Sequence, residues 1–191
     1  MEEAVLGAVG AASAFVVGGG AAALRFGQRD AGAVLAAAKP DAASVIESVR
    51  RRGGTVVATG GCFDLLHAGH VGLLEGARAL GDCLVVCLNS DRSVQRLKGP
   101  GRPVSPQDDR AAVLLALECV DAVAIFNEET PAAILDRLRP DVWVKGGDYA
   151  GSDLPEARLL AEWGGQAVIL PYLPGRSTSR LLEEVANRAR A

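Results

Sequence analysis

Basic surplus, paired cysteines and histidine are what this chain has least of. Its 191 residues carry 20 Lys and Arg against 23 Asp and Glu, a formal net charge of −3. Nucleic-acid surfaces are strongly basic, so no nucleic-acid partner is expected. The four cysteines (Cys62, Cys83, Cys87, Cys119) form no Cys-x-x-Cys pair, and only two histidines accompany them. That is poor material for a protein-held metal, and the thiols read as small buried groups. Cys83 and Cys87 share one face of the apolar run Cys83-Leu84-Val85-Val86-Cys87. The opening residues are acidic, so no secretory leader is read, and a reducing cytoplasm is the expected setting. Ala4 to Leu24 is uncharged and long enough to raise a membrane span. Ala and Gly gain little from transfer to lipid, however, and Gly7, Gly10 and Gly18-Gly19-Gly20 weaken a helix. The preferred reading is no membrane attachment and a small-residue helix, about 2–17, that packs against something.

What is present is a hydrophobic share of 49%, enough for a substantial core. Residues 1–38 read as a helical appendage and linker, and 39–191 as the main domain. From Asp41 the pattern alternates. A capped helix over 41–52 precedes a strand at 55–59, a helix at 69–80, a strand at 83–89 and a helix at 91–96. A glycine- and proline-bearing loop, Lys98 to Pro106, opens into a helix at 107–118. A strand at 121–126, helix at 131–138, strand at 142–145, helix at 155–163, strand at 167–170 and final helix at 178–190 follow. Continuous apolar strands separated by helices predict an α/β fold: a Rossmann-like, doubly wound, parallel five-stranded sheet with helices on both faces. Ligands in such sheets sit at the carboxyl ends of the strands.

The segment Gly60-Gly61-Cys62-Phe63-Asp64-Leu65-Leu66-His67-Ala68-Gly69-His70 lies between the first strand and its helix, and holds both histidines of the chain. Glycines allow close backbone approach, and a helix start offers unpaired N–H groups and a positive dipole end to an anion. Two imidazoles three residues apart face one side of the first turn, placed to donate to a phosphate whose charge is shifting. Further candidates follow the other strands. Asp91 is expected to cap its helix or meet a ribose or sugar hydroxyl. Lys98, among glycines and prolines, is expected to clamp a phosphate when its loop closes, with Arg102 a weaker candidate. Arg110 is placed to reach the nucleotide or the surface. Lys145 ends a buried strand, and its charge is expected to meet a phosphate or Asp148. Trp143 reads as core. Ser177, Thr178 and Ser179 open the last helix, as caps or as a second dipole aimed at a triphosphate.

His67-Ala68-Gly69-His70 is the H-x-G-H signature of the nucleotidyltransferase superfamily. With Leu97-Lys98-Gly99-Pro100-Gly101-Arg102-Pro103-Val104, Lys145-Gly146-Gly147-Asp148-Tyr149 and Gly175-Arg176-Ser177-Thr178-Ser179, residues 50–185 resemble the D-glycero-β-D-manno-heptose 1-phosphate adenylyltransferase domain. In many bacteria that domain is fused behind a ribokinase-like heptose 7-phosphate kinase, and residues 2–24 look like the last helix of such a kinase. Gly60 stands where the family usually has Asn; little effect is expected, because backbone conformation is what matters there. Ser179 stands where Thr is common.

The resemblance implies that ATP and heptose 1-phosphate give ADP-heptose and pyrophosphate. His67, His70 and Lys98 would stabilise the reacting phosphates. Gly60, Gly61, Cys62, Phe63, Gly69, Asp91, Arg110, Ser177, Thr178 and Ser179 would hold the nucleotide. Asp64, Lys145, Gly146, Gly147 and Asp148 would face the sugar phosphate. Mg²⁺ would ride on the ATP phosphates rather than in a protein cage, and Cys62 is not a nucleophile. A homodimer and a separate heptose 7-phosphate kinase are the implied partners. One rival is a cytidylyltransferase acting on glycerol 3-phosphate or another alcohol phosphate, whose motifs read Gly-Asp-Asp-Trp and Arg-Thr-x-Gly-Ile-Ser-Thr-Thr. Another is a noncatalytic nucleotide-binding partner of a sugar kinase.

Overall fold

The computed structural model describes residues 41–147, 154–171 and 187–188. The N-terminal helix, Asp148 and Ser177–Ser179 therefore lie outside the described residues. Helix α1 (Ala42–Arg51) starts where Asp41 accepts from the Ser44 amide at 3.0 Å and its hydroxyl at 2.7 Å. Ala42, Ile46 and Val49 form its buried stripe. Strand β1 (Val56–Gly61) follows, then α2 (Ala68–Arg78), β2 (Cys83–Asn89), α3 (Asp91–Lys98), α4 (Gln107–Leu115) and β3 (Ala122–Phe126). Then come α5 (Ala132–Leu138), β4 (Val142–Gly146), α6 (Pro155–Ala161) and β5 (Gln166–Leu170).

All strand pairs are parallel, in the order β3-β2-β1-β4-β5. The chain builds outward from β1 through β2 to β3, then crosses back to place β4 on the other side of β1. That reversal puts the switch point between β1 and β4. Val56 and Ala58 enter the core under α1 and α5, while Val57 enters the core under α2 and α4. Both faces are thus covered, which is why the strands read as unbroken apolar runs. Cys83 and Cys87 are buried together in the first of these cores, as free thiols. At the amino ends, carboxylates receive the opening amides: Asp82 takes Thr55 N–H, Asp141 takes Val56 N–H and Asp121 takes Leu84 N–H.

Several boundaries differ from the sequence reading, β1 running on through Gly61 and α2 ending at Arg78 among them, and two have a plain local cause. Helix α3 runs on to Lys98 and ends at Gly99, whose φ of 89° suits glycine. Lys98 is therefore the last helical residue and not part of the loop. Helix α4 stops at Leu115, where tighter turns take over, Leu117 N–H bonding to Leu114 and Val120 N–H to Leu117. No helix among the described residues is long and apolar enough to cross a membrane.

Candidate active site

Strand β1 leaves the sheet through Gly60 and Gly61. A Cβ on Gly60 would lie 2.5 Å from Cη2 of Trp143 on β4, so the space is filled by an indole. This corrects the sequence reading: a neighbouring side chain, not backbone conformation, demands glycine there. Trp143 itself is core, 1% exposed. Phe63 then adopts φ 43°, a left-handed turn uncommon for an aromatic residue. It packs against His70, ring centroids 5.2 Å apart.

His67 is the N-cap of α2 and makes no side-chain capping bond. Its ring stacks on His70 at 3.9 Å between centroids and 22° between planes. His70 Nδ1 is buried without a hydrogen-bond partner among the described residues. Burial, then the neighbouring His67 and Lys98, pull the His70 pKa down to about 4. The imidazole is therefore neutral at pH 7. Lys98 acts on the same spot, since its charge bears on both His70 and Cys62. Cys62 is half-buried, its thiol is pushed up chiefly by burial, and Sγ lies 3.9 Å from Asn89 Oδ1. A thiol held protonated suits a lining group rather than a nucleophile.

Two charged candidates turn inward. Asp64 is 3% exposed. Its Oδ1 accepts from the amides of Val104 (2.7 Å) and Ser105 (3.1 Å), and its Oδ2 lies 2.5 Å from Arg102. The carboxylate expected at a sugar phosphate instead ties down the loop that follows Lys98, and Arg102 is its counter-ion. Arg110 is 2% exposed. Its guanidinium donates to the carbonyls of Ser105 (2.9 Å), Cys62 (2.5 Å) and Asn89 (2.9 Å) and to Asp91 Oδ1 (2.7 Å). It pins the ends of β1 and β2 from beneath the site. Asp91 is the first residue of α3; Ser90 is the cap, accepting from the Ser93 amide.

At the end of β4, Lys145 has a partner that the sequence reading did not name. Its Nζ lies 2.7 Å from Oε1 of Glu156, a 7% exposed residue of α6. Glu156 had no sequence signal beyond a glutamate near a helix start. Gly146 ends β4, and Gly147 is buried and bonded to Leu170. The structure thus gathers His67, His70, Lys98, Cys62, Phe63 and the three glycines 60, 61 and 69 at the mouth of β1. Lys145 and its glycines stand one strand away.

A helix start flanked by a stacked imidazole pair and a lysine, at the switch point of a parallel sheet, offers hydrogen-bond donors and positive charge to an anion. Residues 58–179 match the cytidylyltransferase-like family model. The chain belongs to the cytidylyltransferase-like family. It is thereby one of the nucleotidyltransferases. Over 98% of its length it is similar, at 63% identity, to the bifunctional protein HldE of Streptomyces coelicolor, of which it covers 41%. Over 75% of its length it is 50% identical to the HldE of Syntrophotalea carbinolica, covering 29% of that protein. The chain thus spans less than half the length of these curated relatives. Its fold is similar to the crystal structure of a lipopolysaccharide core biosynthesis protein from Thermoplasma volcanium, with TM-score 0.53 and 26% identity, over 63% of this chain and 98% of that one.

Proposed function

We propose that this cytidylyltransferase-like chain transfers AMP from ATP to D-glycero-β-D-manno-heptose 1-phosphate, releasing pyrophosphate. The observation that carries the chemistry is the His67–His70 stack at the start of α2. The sugar phosphate oxygen attacks the α-phosphorus, the bond to the β-phosphate breaks, and the departing oxygens gather negative charge. Such transfers are accelerated by positioning and charge stabilisation more than by covalent chemistry. His67 and His70 donate to the α-phosphate and bridging oxygen, and Lys98 clamps the phosphates. ATP arrives as its Mg²⁺ complex. Ser177, Thr178 and Ser179 hold the β- and γ-phosphates, and Lys145 and Asp148 face the sugar phosphate. The heptose assignment is supported by Lys145-Gly146-Gly147-Asp148-Tyr149, by the segment 97–104, and by similarity to the HldE proteins. The enzyme works in the cytoplasm as a homodimer, downstream of a heptose 7-phosphate kinase.

The test is pyrophosphate release from the purified protein with Mg²⁺, offering ATP or CTP against β-heptose 1-phosphate or glycerol 3-phosphate. Release with ATP and the heptose phosphate alone is the expected result. Release with CTP and glycerol phosphate overturns the substrate while keeping the histidine chemistry.

A further inference from the structure

A cavity of about 410 Å³ opens between the β3–α5 connection and the start of α6, lined by Glu129, Thr130, Pro131, Lys145, Glu156 and Leu159. It lies on the carboxyl edge of the sheet, the same edge as the histidines. Lys145 follows Val144, which pairs with Thr59 of β1. The cavity combines apolar walls with a few convergent polar groups, the usual lining of a small-molecule site.

Its polar floor is incomplete. Glu156 gives Oε1 to Lys145 at 2.7 Å, but its Oε2 is buried and has no hydrogen-bond donor among the described residues. A buried carboxylate is costly unless its lone pairs are filled, and one cation fills only part of them. A hydrogen-bond donor would complete this carboxylate, and Lys145 beside it remains able to face an anion. A ligand that brings both a phosphate and neighbouring hydroxyls satisfies the two requirements together. The Thr130 hydroxyl on the cavity wall is a further partner for such a molecule.

We propose that this cavity is the subsite for the polyhydroxyl body of the acceptor sugar phosphate. Lys145 takes the phosphate, while Glu156 accepts from a sugar hydroxyl and holds Lys145 in place. The assignment rests on the adenylyltransferase reading and adds to it Glu156 and Thr130, which no motif marks.

Kinetics of the full chain with each substrate varied separately, for the wild type, E156Q and T130V, test it. E156Q keeps the shape and removes the charge. A KM for heptose 1-phosphate raised ten-fold or more, with the KM for ATP within two-fold, is expected. T130V raises the same KM about three-fold. An unchanged sugar-phosphate KM in E156Q, or an equal rise for both substrates, overturns the proposal. If E156Q does not fold, as judged by thermal melting, T130V is read alone by the same criterion. If the wild type releases no pyrophosphate with the heptose phosphate, the adenylyltransferase reading fails separately. Calorimetric titration of heptose, mannose and glucose 1-phosphates then decides the cavity. Binding weakened ten-fold by E156Q, or three-fold by T130V where that variant stands alone, supports it. Binding indifferent to the variant, or no binding to the wild type, overturns it.

Discussion

At His70, burial, neighbouring charge and pH act on a single ring. Its pKa of about 4 lies below the ordinary value of 6.5. Between those values the unfolded chain binds a proton that the folded chain does not, so folding stability is lost as pH falls from about 6.5 to about 4. Urea midpoints of the wild type should drop across that window, and His70→Asn should flatten the drop. A triphosphate beside the ring reverses the field. ATP binding near pH 5.5 should therefore take up protons, measured as a binding enthalpy that changes with buffer ionisation heat; no uptake would place the phosphates away from His70. His70→Ala and Lys98→Ala should each lower kcat by about 10² or more, the loss expected for one charge-stabilising donor. The thermal shift given by ATP with Mg²⁺ should survive in His70→Ala. At Gly60 the indole of Trp143 leaves no room for a side chain. Gly60→Ala should cost about 1–3 kcal/mol through overpacking, read from urea unfolding. Trp143→Phe removes the outer ring atoms and should recover part of that loss in a double-mutant cycle.

Between elements, the decisive contacts run across the chain rather than along it. Arg110 on α4 bonds to Cys62, 48 residues earlier, and to Asn89 and Asp91. Arg110→Met would strand three buried or half-buried carbonyls at once. It should destabilise by about 3 kcal/mol or more, each such acceptor costing roughly 1–3 kcal/mol, read again from urea unfolding. These contacts also mark where the sequence fell short. Residue type and position marked Arg110 and Lys145 as chemistry-bearing, the family resemblance marked Asp64, and all three lie at the carboxyl edge of the sheet. Their directions were not legible. Asp64 accepts from the Val104 and Ser105 amides, and Lys145 pairs with a glutamate from the next helix. Motif spacing reports proximity to a strand end; it does not report which long-range partner has already filled a lone pair. The elements themselves were legible because β1, β2 and β4 are buried on both faces, which forces continuous apolar runs.

For the whole molecule, the strand order explains why motifs far apart in sequence converge. Reversing direction after β3 returns the chain to β1, so Lys145 on β4 stands beside the histidine turn. The described site draws its residues from position 60 onward. A chain beginning at residue 39 should accordingly keep pyrophosphate release within about three-fold of the full chain and the same KM for ATP, measured side by side. A large loss would show that the first 38 residues belong to the working enzyme.

The packing of Trp143 also gives the protein a built-in optical reporter. The chain has two tryptophans. Trp143 presses on Gly60 at the root of the histidine turn, while Trp163 donates its indole N–H to Pro140, away from that turn. Trp163→Phe leaves a single emitter in the wall of the site. Its emission would follow nucleotide arrival in real time, without a dye, a coupled enzyme or a label.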